Sequence, residues 1–411
     1  MKPELADRAI FPDWDLIVFY LQTRGKEAGM RGDEERQEAV FVFDSLEDRV
    51  PAEHPLRRVR RLTDTALQDL DPLFAKLYAD GGRPSIPPEC LMRAVLLQKL
   101  YGIPSERKLC EHLEFNLLFR WFVGLPFSEA AWDHSTFSRN RERVLTPEVF
   151  AVFFEAIRRQ AEARRLLSKE HFSVDGTLIE AAASIKSFRP KEEGRKPKKH
   201  RPGQGGSTPG NSGTGRNAEV DFRGERHSND THASSTDPDA RLAKIKGKEA
   251  KLSYRGHILV ENRNGLITQC ELTQATGTAE AEAAAQMLSR ERARRGRGHM
   301  TVGADRGYNT RGFVGAARGL KVTPHVARKQ RYNAIDGRTT SHHGYQISQR
   351  RRKVVEEPFG WMKNVGGLRK LLHRGTSRVK GVFILACAAF NLVRLSTLTA
   401  EPALQTGNGA R

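Results

Sequence analysis

Two aspartates end short apolar runs and lead directly into glycine turns. Asp175 closes HFSV and precedes Gly176; Asp305 closes TVGA and precedes Arg306 and Gly307. An acid at the carboxyl tip of a buried strand is where α/β sheets place functional side chains. Two such acids on different strands can converge on a hard divalent cation, which needs several carboxylate oxygens. Either one alone would serve equally well as a turn or helix cap. A third acid, Glu356, lies in RRRKVVEEPFGWMK. Arg352, Glu356 and Lys363, spaced by four and seven, fall on one helical stripe, with Val355, Phe359 and Met362 as the apolar stripe beside it. The same spacing also describes an exposed, salt-bridged face. Pro358 should start or kink the helix there, and Glu357 turns about 100° off the stripe.

These residues need a sheet and a late helix to bring them together, and the chain supplies both. From residue 54 to about 165 the pattern is helical: Leu67, Leu70, Phe74 and Leu77 recur at spacings of three and four, with Pro72 dividing the stretch. Pro87 and Pro88 mark a helix start, Gly102 a stop, and a second helix opens near Ser105 carrying Arg107 and Lys108. Two helices across a short glycine turn are compatible with a helix-turn-helix or with any helical corner. At Glu170 the texture changes. HFSVDG reads as a strand and LIEAAAS as helix-like, and residues 186–251 lose periodicity. Within that stretch, Lys186 to Arg201 carries eight Lys/Arg and two Glu, followed by the Gly/Ser-rich GQGGSTPGNSGTG. It reads as a solvated linker or as a mobile basic arm that follows a phosphate backbone. GHILVEN and GLITQCELT then form a hairpin over Arg263–Gly265, residues 278–294 a helix, HMTVGADRG and LKVTPHVA two strands, and the end a basic helix from Ser348 and an amphipathic helix from Gly381 to Leu395. The fold class is α/β with a mixed sheet, preceded by an all-α domain.

Lys and Arg number 69 against 49 Asp and Glu, a formal charge of +20. An excess of this size points to a polyanion, either nucleic acid or an anionic membrane surface. The longest apolar run, Val382 to Phe390, falls well short of the ~20 residues that span a bilayer. The opening MKPELADRAIFPDWD has acids where a signal peptide has its apolar core, so no membrane association is expected. Cys90, Cys110, Cys270 and Cys387 form no C-x-x-C pair, which argues against a disulfide framework or zinc ribbon and fits a reducing cytosol. Met30 opens a stretch that reads like a natural beginning, so the first 29 residues are expected to be a start-site artefact or a dispensable extension.

The set V-D-G-T (174–177), A-D-R-G-Y (304–308) and R-x3-E-x6-K (352–363) resembles the DDE motif of bacterial insertion-sequence transposases, in particular the group designated "IS five" and its neighbour "IS four". HPLRRV (54–59), GRPSIPPE (82–89), YGIPSERKL (101–109), RWFVGLP (120–126) and DHSTFSRNR (133–141) resemble that group's N-terminal domain; STDPDARLAK (235–244) and AAFNLVRL (388–395) resemble blocks of its catalytic half. One departure is Gln349, where one form of the motif has tyrosine.

The resemblance implies an RNase H-like catalytic core with Asp175 on the first strand, Asp305 on the fourth and Glu356 on a later helix. These three would ligate two divalent cations, Mg²⁺ or Mn²⁺, which suit both ends of an in-line phosphoryl displacement. Arg352 and Lys363 would hold phosphates, and Tyr308 would contact DNA or pack beneath its loop. The helical domain would bind double-stranded terminal inverted repeats through basic residues such as Arg57, Arg58, Arg107 and Lys108, and target DNA would then be joined to the 3′-OH. Bringing two ends together implies at least a homodimer. The expected boundaries are an extension at 1–50, the helical DNA-binding domain at 51–168, the DDE domain at 169–395 with a basic, disordered insertion at about 186–251, and a disordered tail at 396–411. The expected location is a bacterial cytoplasm, at the nucleoid. The competing reading is a decayed or domesticated sequence-specific DNA-binding protein without catalysis.

Overall fold

The computed structural model describes residues 45–77, 85–191, 228–244, 249–296 and 298–400. Residues 1–44, most of the basic arm (192–227) and the tail from 401 lie outside these, and with them Met30.

The helical half comprises α1 (Leu46–Arg49), α2 (Pro55–Gln68), α3 (Asp71–Leu77), α4 (Pro88–Leu100), α5 (Glu106–Phe115), α6 (Leu117–Val123), α7 (His134–Val144) and α8 (Pro147–Ala163). Its starts are written in local chemistry. Ser105 caps α5 by accepting from Lys108 N, Asp133 caps α7 by accepting from Ser135 N, and Thr146 caps α8 by accepting from Val149 N. Pro72 stands at the second position of α3, where it ends the run from α2 without breaking a helix. Motif blocks interlock as scaffold: Glu106 of α5 receives Ser138 and Arg141 of α7. The buried Arg120 of α6 donates to the carbonyls of Leu113 (2.9 Å) and Phe127 (3.3 Å). The half begins before residue 51: Val50 is buried, and Glu47 accepts from Trp121 Nε1 at 2.5 Å.

The second half contains β1 (His171–Glu180), β2 (Phe188–Pro190), β3 (His232–Ser234), β4 (Arg241–Ala243), β5 (Lys251–Glu261), β6 (Ile267–Gln274), α9 (Ala279–Arg295), β7 (Thr301–Ala304), α10 (Arg311–Gly319) and β8 (Thr323–Val326), then α11 (Gly337–Thr340), α12 (His343–Arg351), a 3₁₀ turn (Arg352–Val355), α13 (Glu356–Asn364) and α14 (Thr376–Leu398). The main sheet runs β5-β1-β7-β8, with β6 and β4 both pairing with the outer edge of β5. β1 and β6 are antiparallel to β5, whereas β1, β7 and β8 are mutually parallel. Three antiparallel strands continued by two parallel ones, with the first strand central, make the RNase H-like core.

Several expectations change. LIE (178–180) continues β1 instead of turning helical, because Leu178 to Glu180 pair with Arg255 to Ser253 of β5 and the ladder overrides helix propensity. The insertion is shorter than 186–251: β2 and β3 pair as a separate ribbon, and β4 pairs with β5 at Lys251–Ser253. The helix α10 between β7 and β8 was not anticipated. The final helix spans 376–398, reaching into the stretch expected as tail. It is not amphipathic; between Val379 and Ser396 it is buried around most of its circumference. One face of α14 lies on the sheet, where Asn391 exchanges hydrogen bonds with Ile267 N (2.9 Å) and Ile267 O (2.8 Å). The other lies against the helical half, where Gly381 meets Phe150. One apolar core therefore runs from Leu56 through Phe153 and Phe383 to Ile258. The opposite face of the sheet is covered by α9 and α10 over Phe172, Val174, Leu259 and Val302.

Candidate active site

Parallel pairing of β1 with β7 matches Ser173 with Gly303, and two further residues along each chain bring Asp175 level with Asp305. Both carboxylates are oriented by a nearby amide: Gly176 N donates to Asp175 Oδ1 at 2.8 Å, and Gly307 N to Asp305 Oδ1 at 2.7 Å. The second oxygen of each is left without a hydrogen-bond donor among the described residues. Burial is the main cause that pushes Asp175 up to about 7, with the Asp305 and Glu280 charges adding; the Gly176 amide and Arg352 oppose it. Two hard carboxylate oxygens on a crowded acidic patch are the donors a divalent cation takes.

The helical stripe arrives from the same face of β1 as Asp175. Arg352, in the 3₁₀ turn, packs its Cβ over Gly303, and its buried Nε has no protein acceptor. Lys363 Nζ donates to Thr177 Oγ1 at 2.5 Å, two residues beyond Asp175 on β1. Glu356, seven residues before Lys363, lies on that same side of α13. The stripe is not one continuous helix: the 3₁₀ turn gives way to α13 at Glu356, and Pro358 stands in the first turn of α13. Val355, Phe359 and Met362 are buried as the apolar stripe requires. Glu357 faces the other way and pairs with Arg394 of α14 at 3.4 Å. Gln349 donates to the carbonyl of His325 at 2.5 Å, tying α12 to β8.

The three acids do not stand as one ready-made ligand set. Among the described residues no three acidic, histidine or cysteine side chains are close enough to share an ion. Glu356 occupies the exposed start of α13, and Asp175 and Asp305 form the close pair.

One site residue escapes the sequence patterns. Glu280, in the first turn of α9, approaches from the opposite face of the sheet, and the absence of a side chain at Gly176 makes the approach possible: a Cβ there would lie 2.9 Å from Glu280 Oε1 and 3.0 Å from His257 Nδ1. Arg255 of β5 forms a salt bridge with Glu280. The only sequence signal was an acid in the first helical turn after a strand, which ordinarily stabilises the helix dipole.

Three of the residues expected at DNA are engaged within the protein in this structure. Tyr308 is 1% exposed, so it packs beneath its loop. Burial, then the Glu280, Asp175 and Asp305 charges, hold its phenol well above the usual range. Arg57 is committed to the carbonyls of Pro51 (3.0 Å) and Val50 (2.7 Å), to Glu47 and to the Trp121 ring. Arg58 donates to Ser396 O at 3.1 Å, linking α2 to α14. Arg107 and Lys108 are exposed on α5, with Lys108 paired to Glu111 at 2.8 Å.

The chain matches the family described as "Transposase domain (DUF772)" over residues 44–143 and that described as "Transposase DDE domain" over residues 167–392. No curated protein matches it. Among solved structures it is similar to "Mos1 transposase paired-end complex with left transposon end", at 12% identity over 72% of this chain and 84% of that one, with a TM-score of 0.19. It is also similar to "Crystal structure of a pre-cleavage Mos1 transpososome", at 10% identity over 78% and 82%, with a TM-score of 0.18. Superpositions that loose carry no argument about the site. The DDE match, by contrast, spans more than half of the chain and both aspartates, and the chain belongs to the transposase DDE domain family.

Proposed function

We propose that the chain is the DNA transposase of an insertion sequence, which binds the element's terminal inverted repeats, cleaves at the element ends and joins the freed 3′-OH to target DNA. The observation that carries this reading is the juxtaposition of Asp175 and Asp305 at neighbouring strand tips, with Arg352 and Lys363 brought to the same face of β1. In that reading Asp175 and Asp305 hold divalent cations, Mg²⁺ or Mn²⁺, with Glu356 joining from α13 when DNA is bound. The cations supply charge neutralisation at both ends of an in-line displacement. Arg352, with an unpartnered buried Nε, holds the scissile phosphate, and Lys363, anchored on Thr177, neutralises an adjacent one. Water displaces the element's terminal 3′ oxygen from phosphorus, and that 3′-OH then displaces a target-strand oxygen in turn. Arg107 and Lys108 contact phosphates of the repeat, and two copies assemble to hold two ends.

The test starts from the DNA flanking the gene, searched for short imperfect inverted repeats that bracket it. One repeat end, incubated with the protein and Mg²⁺, is cleaved at the element boundary, and Asp305→Asn loses cleavage while retaining binding. Tight binding by the wild-type chain without cleavage would favour a decayed DNA-binding protein instead.

A further inference from the structure

One buried polar atom near Asp175 has no protein partner: His257 Nδ1, on a side chain that is fully buried. It borders Glu280. His257 Nδ1 and Glu280 Oε1 lie 3.0 and 2.9 Å from the same point above Gly176, and Tyr308 faces the Glu280 carboxylate. Buried polar atoms are nearly always satisfied in folded proteins, so an unpartnered imidazole nitrogen beside a carboxylate marks a place where a polar ligand belongs. Glu280 is held there from behind by Arg255, which stands opposite Leu178 of β1 in the β1–β5 ladder. Its opening to the site is the missing side chain of Gly176, the residue whose amide orients Asp175.

We propose that Glu280 is a positioning residue for the cation site: a fourth carboxylate that approaches behind Asp175 through the gap at Gly176, adds negative charge to the Asp175–Asp305 pair and, with Tyr308 and His257, orders the outer shell of the bound cation. The inference rests on the transposase reading, in which Asp175 and Asp305 hold the metal. Carboxylates outside the inner shell orient the ligands that touch the ion and commonly set its affinity within a factor of about 10–100.

The test is Mn²⁺ binding to the full-length chain without DNA, by calorimetry or by the loss of the free-ion resonance. Glu280→Gln keeps the shape and removes the charge; it should weaken Mn²⁺ binding about tenfold or more, and excess Mg²⁺ should restore cleavage. Gly176→Ala keeps the charge but puts a methyl group against Glu280 Oε1; it should weaken the cation in the same way, which decides the matter should Glu280→Gln fold poorly. Unchanged Mn²⁺ affinity in both variants, with only a lower Tm, would overturn the inference and leave Glu280 as the counter-ion of Arg255. If Asp175→Asn and Asp305→Asn also bind Mn²⁺ like the parent, the metal-site reading itself fails, and this inference with it.

Discussion

Asp175 and Asp305 each have one oxygen fixed by a backbone amide and one directed at the site, so replacing either by Asn keeps the amide contact and removes only the charge. Asp175→Asn, Asp305→Asn and Glu356→Gln should each abolish end cleavage while leaving repeat binding within about twofold, measured by gel shift beside a cleavage assay. Glu357→Gln should stay active, because its carboxylate is turned to Arg394. A dead Glu357→Gln with an active Glu356→Gln would mean that α13 presents the other face to DNA. Thr177→Val tests the anchoring of Lys363. Loss of one hydrogen bond, worth about 1 kcal/mol, should slow cleavage about fivefold, with little change in binding.

Among the elements, α14 is the part on which the fold depends most heavily, since it lies between the helical half and the sheet. Its start is held by acids from the end of the insertion: Asp239 Oδ2 accepts from Thr376 N (2.9 Å) and Oγ1 (3.0 Å), while Asp237 Oδ1 accepts from Tyr254 Oη (2.7 Å) and Gly375 N (3.2 Å). Asp239→Ala should lower stability by about 1 kcal/mol, the usual cost of a lost helix cap, read from the urea midpoint. Gly256→Ala should cost about 1–3 kcal/mol by overpacking, because the added methyl would lie 2.5 Å from Cε2 of Phe383 on α14. These contacts explain why STDPDA and AAFNLVRL stand out as motifs although neither carries chemistry. What the sequence disclosed was local: a helix opening at Ser105, Pro at helix starts, the Arg263–Gly265 hairpin and the two acids at strand tips beside glycine. What it hid depended on distant partners. RGFVGAARG, with three glycines, is helical because Phe313, Val314 and Ala317 pack under the parallel crossover. Leu178–Glu180 is a strand because β5 pairs with it, and Glu280 matters because a β-sheet gap happens to face it.

Across the whole molecule, the balance of buried ionisable groups sets how stability responds to pH. Burial lowers His257, His325 and His373 to about 4, with help from Arg255, from His171 and its neighbours, and from Arg141 respectively. An unfolded histidine titrates near 6.5. As pH falls from 6.5 to 4, the unfolded chain therefore gains three protons that the folded chain refuses, and stability falls with pH in that window. Asp175 works the other way: raised to about 7, it takes up a proton in the folded state first, so it adds stability as pH falls from 7 toward its unfolded value. Three groups outweigh one, and the urea midpoint should drop between pH 7 and pH 5. Asp175→Asn removes the opposing contribution and should steepen that drop. Saturating Mg²⁺, which favours the ionised carboxylate, should raise the midpoint of the parent more at pH 8 than at pH 5.5 and do little to Asp175→Asn at either pH. A parent chain equally stabilised by Mg²⁺ at both values would show that Asp175 does not hold the cation.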